Sequence, residues 1–397
     1  MRPRTLRRDA APFWRVLVAV LGLSPGVAAQ QDSTGAGRPF VRGGVYDKPF
    51  LTRLGQGTAI GGYAEAHARW SEADGIGSET GFEAKRFNLF TATQVSDFVR
   101  IGAELEFEEG GEEIKLEYAA IDLKIHPALT IRGGMILSPL GRFNLSHDSP
   151  LNEFTDRPLA STELLGVALS EPGFGVLGQH GFGRTGRLTF EGYLTNGFHD
   201  GVVLDSEAGT RIPAGRGNHQ DANHSPAVVA RVAVSPRVGW EVGASVHHGA
   251  WNTWRLDGVE LDARRDLTIA VLDAEVTLGA LTLQGEVATA AIDMPEGLAG
   301  IFATGQRGGY LDAAFSFGHG LVRAMPASFL VAKLRLDAVD FNTDRRGESV
   351  RQLTVGITFR PTRDTALKFD LVRGRERDEF NNASEFASVL ASLATYF

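Results

Sequence analysis

His147, Asp148 and Ser149 set an imidazole, a carboxylate and a hydroxyl in three consecutive residues, the side chains from which hydrolases build a nucleophile and its base. Such an array needs groups aimed at one another from separate elements, and adjacent residues in a Pro-bounded loop rarely converge. The sequence is therefore read as non-enzymatic. The surrounding stretch, Ser138 to Pro172, offers a different chemistry. It holds four prolines, no helical or strand period, and a mixed charge set: Arg142 and Arg157 against Asp148, Glu153 and Asp156. Opposed charges around a narrow passage create a transverse field that sorts polar solutes. The competing role for each charge is a salt bridge that fastens the loop to a wall.

Metal chemistry has little support. The chain has no Cys, which excludes disulfides and Cys-ligated metals. His247 and His248 fall on an alternating segment, where neighbours point to opposite faces and cannot share an ion. His219 and His224 lie in a long connection without supporting spacing. No cofactor is predicted.

The elements that must position these charges follow a period of two. In Thr58–Trp70, Gly62, Ala64, Ala66, Ala68 and Trp70 alternate with Tyr63, Glu65, His67 and Arg69. In Phe98–Glu108, Val99, Ile101, Ala103, Leu105 and Phe107 alternate with Arg100, Glu104, Glu106 and Glu108. About sixteen such segments run from Thr58 to Phe397. Tight links such as Ser96-Asp97, His126–Ala128 and Gly279-Ala280 alternate with long ones at 71–81, 138–172, 199–225, 251–265 and 293–308. Gly318–Ala327 is too long for the tight side, and the pattern gives no reason for it. Short turns at one end and long loops at the other predict an all-β transmembrane antiparallel up-and-down β-barrel of about 16 strands with an inward-folded constriction loop. Arg142, Asp148, Glu153, Asp156 and Arg157 then form the constriction, and Arg100, Glu104 and Arg132 line the pore. Arg86, on a strand whose facing the pattern leaves open, joins them. Trp70, Phe82, Trp240 and Tyr310 near strand ends suit interfacial aromatic belts.

The termini agree with export. Arg2, Arg4, Arg7 and Arg8 precede the apolar run Val16–Leu23 and then Val27-Ala28-Ala29, the order of a signal peptide over residues 1–29. Residues 30–57 form an N-terminal periplasmic arm, and 58–397 the barrel. Without residues 1–29, which hold five Arg and one Asp, the chain carries 35 basic against 47 acidic residues, net −12. That balance argues against nucleic acid as a partner.

The last strand ends in Tyr396-Phe397, and this terminus resembles the C-terminal signature of outer-membrane barrels. The resemblance implies recognition of Phe397 by the barrel assembly machinery. From Leu129 the chain reads LTIRGGMILSPLGRFNLSHDSPLNEFTDRPL, which resembles the phosphate-selective porin O and P family. Ser138-Pro139-Leu140-Gly141 stands at that family's Pro-Phe-Gly-like turn, Thr155-Asp156-Arg157 at its Glu-Arg-like pair, and Tyr193–Gly197 at its strand ending in Asn-Gly. The resemblance implies an integral protein of the bacterial outer membrane, a homotrimer among lipid and lipopolysaccharide, that passes small hydrophilic solutes or ions by passive diffusion. The family's basic pore ladder has no counterpart here, where Glu104, Glu106, Glu108, Glu109, Glu112 and Glu113 crowd one hairpin. An anion- or phosphate-specific channel, and a barrel serving as scaffold or adhesin through its long loops, are the alternatives.

Overall fold

The computed structural model describes Lys48, Leu51 and residues 57–206 and 209–397. The predicted signal peptide and most of the arm lie outside the described residues. Sixteen strands follow in order: β1 (Thr58–Ala73), β2 (Ile76–Gln94), β3 (Val99–Glu108), β4 (Glu113–His126), β5 (Leu129–Leu137), β6 (Ser170–Phe182), β7 (Gly186–Thr195) and β8 (Ala227–Ser235), then β9 (Trp240–Ala250), β10 (Asp266–Leu278), β11 (Leu281–Ile292), β12 (Gly305–Phe317), β13 (Phe329–Asp340), β14 (Ser349–Thr362), β15 (Thr365–Arg377) and β16 (Ala383–Tyr396). Each pairs antiparallel with its sequence neighbour, and β16 returns to β1 with Tyr63 opposite Tyr396 and Trp70 opposite Val389. Closure leaves no sheet edge, so the ladders satisfy every wall strand without help from water, as a bilayer demands.

Which face points out is decided by burial, which runs opposite to that of a soluble sandwich. On β14 and β15, Leu353, Val355, Ile357, Leu367, Phe369 and Leu371 are exposed, whereas inward Arg335, Glu104 and Asp370 are at most 2% exposed. The apolar row of each strand therefore faces lipid and the charged row faces the lumen. Trp70 and Phe82 lie on the outer surface. Tyr310 does not: it points inward, buried, with its ring 6.1 Å from Phe143, because its place in the β12 alternation is an inner one.

The expected long connection at 71–81 is instead a two-residue hairpin. Asp74 and Gly75 both take positive φ (48° and 78°), the turn that matches strand twist, so β1 and β2 run on through the polar residues around it. Gly318–Ala327 does lie on the short-turn side. It closes on itself through Gly320 N to Ser328 O (2.8 Å) and Ser328 N to Met325 O (2.9 Å), with His319 stacked on Phe329.

Apolar packing sits inside the barrel, beneath the long connections. Leu140, Leu164 and Leu165 pack with Phe198, Val202, Ile212 and Ile269. Leu145 and Leu151 pack with Tyr63, Phe90, Tyr118 and Tyr396.

Candidate functional site

The connection from Ser138 to Leu169 turns inward because its neck is pinned there. Asn144 Nδ2 donates to Ser138 O (2.7 Å) and Leu169 O (2.9 Å), and Leu169 N donates back to Asn144 Oδ1 (2.8 Å). One buried amide thus holds both ends of the loop. Gly141 has φ 78°, and a Cβ there would meet the Glu286 carboxylate at 2.9 Å, so only glycine lets the chain pass β11 at this height. Gly141 N then donates to Ser245 Oγ (2.9 Å), Phe143 N to Glu286 Oε1 (2.5 Å), and Arg142 Nη2 meets Glu275 Oε2 at 2.6 Å.

The three residues that suggested a nucleophile reach three different places. His147 Nε2 lies 2.5 Å from Glu117 Oε1 of β4, and its Nδ1 lies 2.7 Å from Asn144 O. Ser149 Oγ donates to Glu65 Oε2 of β1 (2.5 Å). Asp148 accepts from Tyr396 OH of β16 (2.6 Å) and from Lys48 Nζ. Their geometry is that of fasteners and not of a nucleophile–base array. Lys48 also meets Glu104 Oε2 at 3.5 Å. Burial works against its ammonium, but Asp148 and Glu104 outweigh that and raise its pKa above the ordinary lysine value.

Next to β16 and β1 on the same side of the barrel lies a basic group that the sequence reading missed: Lys333 and Arg335 on β13, Arg360 on β14 and Lys368 on β15. All four donate to backbone carbonyls of the loop. Lys368 Nζ reaches Ser149 O (2.8 Å) and Phe154 O (3.0 Å), Arg360 Nη1 reaches Pro150 O (2.9 Å), Arg335 Nη1 reaches Asp156 O (2.8 Å), and Lys333 Nζ reaches Glu153 O. Phe154 lies under the guanidinium of Arg335, 4.1 Å from its ring centre. Arg335 also grips Asp312 at 2.7 Å through both Nε and Nη2, and Lys333 meets Asp370 at 2.7 Å. The period-two alternation of Leu330, Ala332, Leu334 and Leu336 with Val331, Lys333, Arg335 and Asp337 puts Lys333 and Arg335 on one face from sequence alone. That a loop would cover them needed the structure.

Of the five predicted constriction charges, Asp148 is buried and Glu153 is bound by Arg360 at 2.9 Å. Arg142 pairs with Glu275, and Arg157 Nη2 lies 3.9 Å from Glu106 while its Nη1 donates to Val167 O (3.4 Å). Asp156 meets Arg69 Nη2 of β1 at 2.7 Å, with side-chain exposures of 37% and 28%. That pair joins loop to wall while both groups still face solvent.

Of the four pore-lining positions, all face inward. Arg86 is buried beneath Glu65 (3.0 Å) and Glu108 (3.1 Å), and Glu104 beside Lys48. Arg132 holds Asp122 at 2.7 and 2.9 Å and is buried, whereas Arg100, also on Asp122 at 3.1 Å, keeps 39% of its side chain exposed. His247 points inward to Glu171 (3.1 Å) and His248 outward to Thr268 (2.8 Å), the split expected of strand neighbours. The site as a whole is a set of fixed, mutually paired charges around a strap of backbone. Such an arrangement can restrict and orient a passing solute.

No family model matches the chain. A protein of Aquifex aeolicus (strain VF5) described only as uncharacterised is 31% identical over 149 residues, 36% of this chain and 33% of that protein, so the chain spans about a third of the relative's length. Solved structures resemble the whole barrel. The outer membrane channel DcaP of Acinetobacter baumannii superposes with a TM-score of 0.55 at 13% identity, over 86% of this chain and 98% of that one. An anion-selective porin from Comamonas acidovorans gives 0.53 at 13% identity, over 86% and 99%. OmpT, an outer membrane protein of Vibrio cholerae in a trimer form, gives 0.53 at 9% identity, over 86% and 100%. At these identities the likeness is one of fold.

Proposed function

We propose that this chain is an outer-membrane channel for passive diffusion of small hydrophilic solutes or ions, exported by its N-terminal signal peptide and assembled as a homotrimer. The observation that carries the reading is the loop 138–169: it lies inside a closed barrel of sixteen strands, wide enough in general for an aqueous lumen, and is anchored at Ser149 to β1 and β15 and at Gly141 to β9 on the far side of the barrel. Arg142, Asp156 and Arg157, with their wall partners Glu275, Arg69 and Glu106, are the narrowing charges. Asp148 and Glu153 hold the loop in place. Phe397 serves recognition by the assembly machinery.

Phosphate selectivity, which the family resemblance would imply, finds less support. Lys333, Arg335, Arg360 and Lys368 are taken up by loop carbonyls and by Asp312 and Asp370, so these cations offer no open ladder to an anion. The test is planar-bilayer recording of the purified protein. Salt-dependent, non-saturating conductance with no block by phosphate is expected. Block by millimolar phosphate would replace this reading with a phosphate-specific channel, and absence of conductance would leave only the scaffold or adhesin.

A further inference from the structure

The lipid-facing surface departs from its apolar rule near the long-loop ends of several strands: at His248 on β9, at the Arg307–Asp340 pair across β12 and β13, and most densely on β14 and β15. On β14 and β15 the outward row runs Leu353, Val355, Ile357 and Leu367, Phe369, Leu371, then changes at the end beside the long loops to Arg351, Arg373 and Arg375, all exposed. Arg351 stands directly opposite Arg375, and Arg373 opposite Leu353. The Cβ atoms of such a cross-strand pair are about 5 Å apart, and residues two apart on a strand about 7 Å. Three guanidiniums thus share one small patch. The acid among them is Glu385 of β16, opposite Arg375 in register and 3.2 Å from Arg373.

Like charges placed opposite one another destabilise a sheet, and arginine on the lipid face of a barrel is unfavourable to a degree that depends on depth. Both penalties are removed by an anion that bridges the patch. Depth identifies which anion. From Thr365 at the short turn to Arg375 is ten residues, about 34 Å of strand, which at a tilt near 40° rises about 26 Å. That is about the height of the apolar band, so Arg375 reaches the level of the outer-leaflet headgroups. Guanidinium forks match phosphate oxygens in pairs. We propose that Arg351, Arg373 and Arg375 form a binding patch on the outer wall for the phosphate groups of a phosphorylated glycolipid in the outer leaflet. This rests on the outer-membrane reading above but not on conduction.

The test uses folded, detergent-solubilised protein, native mass spectrometry, and diphosphoryl lipid A beside its fully dephosphorylated form. The wild type should retain the diphosphoryl lipid, and the triple variant Arg351→Gln/Arg373→Gln/Arg375→Gln should bind it roughly 100-fold more weakly, about fivefold for each arginine lost near an anionic surface. Retention of the dephosphorylated lipid should be weak and equal in both. Equal retention of the diphosphoryl lipid by variant and wild type overturns the proposal. So does displacement of the lipid by millimolar inorganic phosphate, and so does loss of the trimer with lipid binding intact, which would assign the patch to a second copy. If the triple variant fails to fold, Arg351→Gln alone should show the fivefold step, and its absence overturns the proposal. Conductance of the same preparations is read separately: phosphate-dependent retention by a non-conducting barrel refutes the channel and leaves the patch standing.

Discussion

At the scale of single residues, the interior charges are paired so closely that removing one partner strands the other. Arg335 is the sharpest case, since Asp312 is buried and both its oxygens are taken by that guanidinium. Arg335→Met should destabilise the barrel by about 3–5 kcal/mol, and pairing it with Asp312→Leu should recover most of the loss, because the double variant leaves no buried lone charge. Urea unfolding in micelles followed by tryptophan fluorescence measures both. Lys48 is a second case. It is a cation from the predicted arm, seated between Asp148 and Glu104. Lys48→Met should loosen the loop and appear as excess current noise with unchanged strand content. At the outer rim, Asp74 accepts from Glu385 N (2.9 Å) and Ser384 Oγ (2.9 Å), and these bonds hold its carboxyl below the ordinary aspartate value of 3.8. A group with a depressed folded pKa contributes stability above its unfolded pKa and loses it as pH falls below that. Hydrogen exchange at the Glu385 amide should therefore accelerate as pH is lowered through about 4, relative to its intrinsic rate, and Asp74→Asn should abolish that dependence.

At the scale of elements, the loop 138–169 does two jobs: it narrows the lumen and covers the basic wall of β13–β15. Deleting Asn144–Arg157 should raise single-channel conductance. It should also shift selectivity toward anions, because it removes Asp148, Glu153, Asp156 and Arg157 and uncovers Lys333, Arg335, Arg360 and Lys368. The reversal potential in a salt gradient reads the second effect. Unchanged conductance with an intact barrel would remove the constriction role. The strand positions were legible because a period of two survives wherever one face meets lipid and the other does not. β1 starts at Thr58 and β3 ends at Glu108, as the alternation predicts. The hairpin at Asp74-Gly75 was misjudged because charge and glycine content suggested a loop, where the pair in fact forms the turn that lets strands continue.

At the scale of the whole molecule, closure between β1 and β16 is what makes the chain one cooperative object. Every strand is bounded on both sides, so the barrel should resist detergent until heated. Unboiled protein should migrate differently from boiled protein on a detergent gel. Identical migration of the two samples would count against the closed barrel in solution.

What the sequence determined by itself was the alternation, and with it the strand number, the turn-loop asymmetry and the presence of a charged, Pro-rich interruption after β5. These are local properties, carried by residues within a few positions of one another. Only the tertiary structure decided which face points out, that Asn144 turns the interruption inward, and that its charges are mostly spent on the wall. The physical reason is distance in sequence: Glu153 meets Arg360, and Asp148 meets Tyr396, across some two hundred residues or more, and barrel closure alone brings them within reach.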